Sequence, residues 1–241
     1  MDLYSPIFTR RSCRKYDMTP LAADTIQQIE SFISGLRPLL PKSEITHTIV
    51  GPEGVKGIAI PKAPHYLLLS GKDQPLRNTC AGFMFQHVML YLYSMGFAAC
   101  WLAGIRDKQN NPNNPNQIIG FAFGKPAEPG TRRPQEFKRK SINEIATGTD
   151  PRLEAVRLAP SGRNGQPWYF IVEVNAIHVY YMNNLSGLMG KIYTFTDLDV
   201  GIALCHLKVA SDKVGKAFRF NLGRNDKPTP PNGFTYIGTV E

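Results

Sequence analysis

Cysteine is scarce and scattered in these 241 residues: there are four, Cys13, Cys80, Cys100 and Cys205, and no CxxC pair. That spacing indicates neither a zinc site nor a disulfide framework, so reduced and mostly buried thiols are expected. The amino terminus, Met1-Asp2-Leu3-Tyr4, lacks the basic run and apolar stretch of a secretory signal, which makes a cytoplasmic location the expectation. Acidic residues are outnumbered, 19 against 28 basic ones, for a formal charge of +9. Such a surplus suits nucleic acid, an anionic surface or a phosphorylated ligand. The basic residues bunch at Arg10-Arg11-Ser12-Cys13-Arg14-Lys15, at Arg132-Arg133 and at Lys138-Arg139-Lys140. No aromatic platform or recognition-helix pattern stands beside them, so a phosphate-sized ligand is the more economical partner and no nucleic acid is expected.

Charge is also missing from a long run. Between Asn78 and Ile105 there is no Asp, Glu, Lys or Arg, which is long enough to raise the question of a membrane span. Gln86, His87, Ser94 and Gly96 interrupt it, and a related segment from Asp199 to Phe220 carries Lys208, Asp212 and Lys213. A buried central helix is therefore expected, and no membrane partner.

What the chain does have is internal repetition. Gly82-x4-His87-x8-Gly96 aligns with Gly201-x4-His206-x8-Gly215 at a constant offset. Strand-like runs lie in the same order around both copies: Ala63 to Leu69 and Ala176 to Met182 before the helix, Ile118 to Ala122 and Tyr236 to Val240 after it. Further upstream, Leu21 to Leu36 and Pro151 to Leu158 have helical spacing, each leading to an apolar strand, Thr46 to Val50 and Trp168 to Val174. Each half therefore reads helix, strand, strand, helix, strand. The Asn- and Pro-rich stretch Gln109 to Gln117 and the segment Gly124 to Pro134 read as connections. The halves divide near Gly148 to Pro151, as residues 1–148 and 149–241. Two equivalent halves about a pseudo-twofold axis imitate a dimer, and ligand sites are expected between them. His87 and His206 repeat as well, but each sits on an apolar helix, so packing is expected of them. No carboxylate joins them in a metal-ligand pattern.

Three segments could carry chemistry. Arg10 to Arg14 offers permanent, bidentate cations and the Ser12 hydroxyl, as phosphate or a polar ring edge requires, although a solvated basic tail has the same composition. Ala159-Pro160-Ser161-Gly162-Arg163-Asn164-Gly165-Gln166-Pro167-Trp168 is a tight turn rich in neutral hydrogen-bonding groups. It suits a flat heterocycle, or is an ordinary connection. Cys100-Trp101-Leu102-Ala103-Gly104-Ile105 has small residues that let backbone N–H groups approach a ligand, or simply ends a helix.

Together these segments resemble the flavin-dependent nitroreductase family. Arg10 to Arg14 is similar to its amino-terminal flavin motif, and Ala159 to Trp168 to its APS-x-x-N-x-QPW turn. Gly96 to Gly104 resembles the segment ending its central helix. Phe123-Gly124-Lys125-Pro126 followed by Lys138-Arg139-Lys140 resembles its GKP strand and basic tail. The resemblance spans most of the chain and implies an α+β, nitroreductase-like fold of two fused α/β halves, with mixed or antiparallel sheets and long central helices. The chain departs from the family's pattern, and it has no counterpart for other flavin-contacting residues that some family members carry before the central helix. The first half has Leu39-Leu40-Pro41-Lys42-Ser43 where the turn would fall, and the second half has the turn but no Arg-Arg-Ser. This resembles a fused, pseudo-dimeric subgroup and implies one FMN per chain.

Carried over by position, the resemblance implies that Arg10, Arg11, Ser12 and Arg14 contact phosphate, ribityl chain or pyrimidine edge. Leu102, Ala103 and Gly104 would present backbone near flavin N5, and Lys138 and Lys140 would help neutralise phosphate. Pro160, Ser161, Asn164 and Gln166 would line the pocket from the other half. The implied activity is ping-pong hydride transfer from NAD(P)H to a small-molecule acceptor such as a nitroaromatic or quinone. It uses no side-chain nucleophile and no metal; Arg10 and Arg14 are the candidates to stabilise reduced flavin. A monomer that is itself a pseudo-dimer, or a weak homodimer, is expected. A flavin sensor or carrier without fast turnover and a basic nucleic-acid-binding protein are the rival classes.

Overall fold

The computed structural model describes residues 1–109, 113–182, 195–224 and 226–241, so residues 110–112 of the Asn- and Pro-rich connection lie outside the described residues. The chain forms two compact units, Met1–Glu136 and Phe137–Glu241.

In the first unit, α1 (Ser5–Thr9) and α2 (Ala23–Ser34) precede β1 (Ile45–Val50), the short β2 (Val55–Lys56) and β3 (His65–Gly71). The long α3 (Arg77–Ser94) is followed by β4 (Ala98–Leu102), β5 (Arg106–Asp107) and β6 (Gln117–Gly124). The main sheet is antiparallel, in the order β1-β3-β6-β4. The uncharged run is the helix α3, buried nearly all round from Thr79 to Leu92, because it runs through the core instead of capping it. Phe32 of α2 stacks on Tyr91 of α3 at 4.2 Å between ring centroids. Among the described residues no helix is long and apolar enough to cross a membrane.

The second unit opens with α4 (Ile142–Ile145), whose Ser141 and Glu144 close a reciprocal capping box, as the Ser-x-x-Glu spacing dictates. Then come β7 (Ala146–Thr147), α5 (Leu153–Arg157), β8 (Trp168–Val172), β9 (Ile177–Met182), α6 (Thr196–Lys213), β10 (Phe220–Asn221) and β11 (Phe234–Val240). Its sheet runs β10-β11-β9-β8-β7, antiparallel except that β7 joins β8 in parallel. Leaving out β7, the order β8-β9-β11-β10 is that of β1-β3-β6-β4. Setting aside α1, α4 and the two-residue strands β2, β5 and β7, each unit is helix, two strands, buried long helix, two strands.

The repeated glycines have a backbone cause. Gly96 and Gly215 follow α3 and α6 with φ of +83° and +68°, the left-handed conformation that a residue with a Cβ resists. Phe97 N–H bonds to Leu92 O at 3.0 Å and Lys216 N–H to Ser211 O at 2.9 Å, so both helices end in the same Schellman turn. The repeated histidines are buried in both units. His87 Nδ1–H donates to Phe83 O and His206 Nδ1–H to Ala155 O, each at 2.8 Å.

The strand after each long helix, β4 and β10, has no counterpart in the expected helix-strand-strand-helix-strand order. Ala98-Ala99-Cys100-Trp101-Leu102 carries no polar alternation because it is buried on both faces, so its periodicity is silent. β4 pairs with β6 from Ala98↔Gly124 to Leu102↔Gly120. A Cβ on Gly120 would sit 2.6 Å from the Leu67 carbonyl oxygen, a backbone atom that cannot step aside. Gly120→Ala is therefore expected to lower unfolding free energy by about 1–3 kcal/mol in a denaturant titration. A loss below about 0.5 kcal/mol would show that β3 and β6 are not held this closely.

Candidate functional site

The sequence-derived residues fall in two clusters, one in each unit. In the first unit the segment from Thr9 to Asp17 is laced antiparallel to residues 125–132. Arg10 pairs with Thr131 and Tyr16 with Pro126. Arg132 N–H donates to Thr9 O at 2.7 Å, Arg11 N–H to Gly130 O at 3.1 Å and Ala127 N–H to Lys15 O at 3.0 Å. A further tie, Cys13 N–H to Ala99 O at 3.2 Å, fastens the segment to β4. The stretch from Arg10 to Arg14 is thus a fixed part of the first unit and not a solvated tail.

Arg10 is 1% exposed. Its Nη2 donates to Ser12 Oγ at 3.1 Å, and its guanidinium lies 5.8 Å from the centre of the Tyr93 ring. Its Nε and Nη1 are buried without a hydrogen-bond partner. Buried polar groups are nearly always paired, and a buried cation without an acceptor is costly. A second guanidinium crowds the first: Arg132 Nε donates to the Arg10 carbonyl at 3.2 Å. Burial and the charge of Arg10 both push the Arg132 pKa down. Two adjacent cations, with open donors on Arg10, form an anion-binding arrangement. Beside it, Arg11, Ser12, Cys13, Arg14 and Lys15, with Glu128 and Pro129, line a cleft of about 310 Å³. Burial raises the Tyr93 hydroxyl and Cys100 thiol pKa values, against the pull of Arg10, so both stay neutral. Leu102 is buried at the end of β4, whereas Ala103 and Gly104 form an exposed turn.

The second cluster is the turn after α5. Pro160 is buried, Ser161 half-buried and Gln166 buried, while Arg163 and Asn164 are exposed. Arg163, Asn164 and Gln166 adopt φ of +51°, +59° and +47°. Left-handed backbone at three residues bearing a Cβ marks stored strain. Hydrogen bonds over-determine it. Gln166 N–H donates to Ser161 Oγ and Lys140 N–H to Gln166 Oε1, both at 2.9 Å. Asn164 Nδ2 donates to Lys138 O at 2.7 Å, and Arg139 Nη1 donates to Asn164 Oδ1. Lys140 Nζ reaches Gln166 O at 3.2 Å. From α6, the Asp199 carboxylate accepts the Gly162 N–H.

The structure therefore brings Arg10, Ser12 and the Arg11–Arg14 cleft together in the first unit. In the second it joins Lys138 and Lys140 to Ser161, Asn164 and Gln166. Sequence reasoning missed Arg132, Tyr93 and Asp199 as site residues. The basic pair Arg132-Arg133 was visible, but its pairing with Arg10 is a long-range contact that no local spacing reveals. In the sequence Asp199 stands out only as the first residue of the Asp199 to Phe220 segment, and its place in the first turn of α6 comes from the structure.

The family model described as "Putative TM nitroreductase" matches residues 2–211, and the chain belongs to that nitroreductase family. A crystal structure of a "putative nitroreductase" from Thermotoga maritima is similar over 100% of this chain and 93% of its own, with 18% identity and a TM-score of 0.69. A nitroreductase family protein from Clostridium difficile is 15% identical over 60% of this chain and 95% of its own, TM-score 0.47. An FMN-dependent nitroreductase from the same species is 13% identical over 58% and 97%, TM-score 0.47. No curated protein matches the sequence. The fold is accordingly the α+β nitroreductase fold.

Proposed function

We propose that this protein is an FMN-dependent oxidoreductase that uses NAD(P)H to reduce a nitroaromatic, quinone or similar small acceptor. The observation that carries the reading is Arg10: a guanidinium 1% exposed, with Nε and Nη1 unpaired, beside a second arginine. Those open donors fit a phosphate group or the electron-rich edge of a flavin ring. Bound FMN would supply the redox chemistry, taking hydride from NAD(P)H and passing it on in a ping-pong cycle.

The protein's part is to bind and orient. Arg10 and Arg132 hold the anionic end, and Ser12, already bonded to Arg10, supplies a hydroxyl. Arg11 and Arg14 line the adjoining cleft, and Arg14 with Arg10 places positive charge where negative charge develops on reduction. Ala103 and Gly104, with a methyl group and none, leave their backbone N–H groups open to close approach. The turn bearing Pro160, Ser161, Asn164 and Gln166 is assigned to the polar edge of the flavin ring. Lys138 and Lys140 add charge compensation. No general acid is assigned to the protein. Duplication of one ancestral half accounts for the shared strand order and the paired helix ends, and one FMN per chain is expected.

Titration of the protein with FMN and with riboflavin tests the assignment. Arg132→Ala is expected to weaken FMN by about tenfold to a hundredfold, the range for a charged hydrogen bond, and to leave riboflavin, which lacks the phosphate, unchanged. Equal loss for both flavins would remove Arg132 from the phosphate. Binding of neither flavin by the unmodified protein would refute the reading.

A further inference from the structure

Asp199 lies in the first turn of α6 and is 1% exposed. A buried carboxylate is tolerated when its hydrogen bonds are met, and the positive end of a helix favours it. Both of its oxygens stand 3.1 Å from the Gly162 backbone nitrogen. Gly162 begins the stretch in which Arg163, Asn164 and Gln166 are left-handed, and successive N–H groups in such a turn form a concavity that attracts an anion. Further ties of the turn run to residues 138–140 and within itself, among them Lys138 O, Arg139, Lys140 and Ser161. Asp199 instead fastens the turn to the long helix through the core of the unit.

We propose that Asp199 is a positioning residue: from α6 it holds the 161–166 turn in its left-handed form, so that the turn meets the flavin ring already set. The inference rests on the flavin reading above. The carboxylate acts through Gly162 and touches no reactant. With it gone, the strained residues relax toward ordinary backbone and the already exposed Arg163–Asn164 peptide gains the freedom to enter a protease, and flavin then binds only after re-ordering the turn.

The test uses the full chain with Asp199→Ala and Asp199→Asn, comparing trypsin cleavage after Arg163, FMN affinity and the visible circular dichroism of bound flavin. Far-UV circular dichroism and thermal unfolding establish that each variant folds. Asp199→Ala is expected to raise cleavage at Arg163 and weaken FMN, each by about tenfold or more, and to change the bound-flavin spectrum. Asp199→Asn keeps an acceptor oxygen for Gly162 and should fall between the alanine variant and the unmodified protein on all three measures; it carries the test if the alanine variant does not fold. Addition of FMN should protect Arg163 in the unmodified protein. Unchanged cleavage and affinity would overturn the proposal, as would faster cleavage with unaltered FMN affinity and spectrum. If the unmodified protein binds no FMN, it is the flavin reading that fails, and the cleavage comparison still decides whether Asp199 holds the turn.

Discussion

Arg10→Met is expected to abolish tight FMN binding while leaving the flavin-free protein at least as resistant to heat as the unmodified one. The two effects have opposite signs because, on the proposed function, the guanidinium serves a ligand and not the fold. Its Nε and Nη1 have no acceptor, its carbonyl faces the Arg132 Nε, and burial raises the cost of both charges. Methionine fills similar volume without charge, so the flavin-free state loses the Ser12 bond and the Tyr93 contact but is relieved of an unpaired cation. The liganded state loses about two charge-assisted hydrogen bonds, each worth about 1.5–3 kcal/mol, or about a hundredfold or more in affinity. Flavin titration and a melting curve without flavin read the two effects separately. A variant that melts several degrees lower and still binds FMN tightly would make Arg10 a structural residue.

The largest effect on stability is expected at Arg152. Its side chain is 9% exposed and that of Asp150 7%. Asp150 accepts from Arg152 N–H at 2.8 Å, Nε at 2.9 Å and Nη2 at 2.8 Å, while Arg152 Nη1 donates to Ser211 Oγ in α6 at 3.0 Å. Lys216 approaches the same carboxylate at 3.5 Å. Arg152→Met removes the main partner of a buried anion and is expected to cost about 3–5 kcal/mol, a large share of a typical domain's stability. Burial alone would raise the Asp150 pKa, but the hydrogen bonds and charge of Arg152, with help from Lys216, outweigh it and hold the carboxyl below its usual value. With the folded pKa below the unfolded one, this contribution is complete above the ordinary carboxylate range and disappears as pH falls through the folded value. The gap between the unmodified protein and Arg152→Met, measured by denaturant titration, should therefore be widest near neutrality and narrow below about pH 4. A gap under about 1 kcal/mol at neutral pH, or one that does not change with acid, would contradict the pairing.

Much of this fold is legible in the sequence because its signals are local. The α2 and α5 segments have helical spacing, the β-branched runs become β1, β3, β6, β8, β9 and β11, and Gly96 and Gly215 mark the ends of the two long helices. β4 and β10 escape notice because one is apolar on both faces and the other is two residues long. The short α1 is likewise silent, its first turn carrying Pro6 and no side-chain cap. Of the candidate site, the residue types could be read but not their state. Arg10 looks like any surface arginine until the pairing with Thr131 and the position of Tyr93 bury it. Asn164 and Gln166 look like free amides, yet in the folded unit they bond to Lys138, Arg139 and Lys140. Arg132 and Asp199 join the account through contacts between residues far apart in sequence, which composition and spacing do not encode.

The most direct test of the central claim is the visible absorption spectrum of the purified chain after FMN is added and unbound flavin removed, followed by anaerobic NADH or NADPH and then a nitroaromatic or quinone. About one FMN is expected to be retained per chain, with its absorption bleached by the nucleotide and restored by the acceptor. A protein that retains no flavin, or one whose flavin is not bleached by either nucleotide, would contradict it.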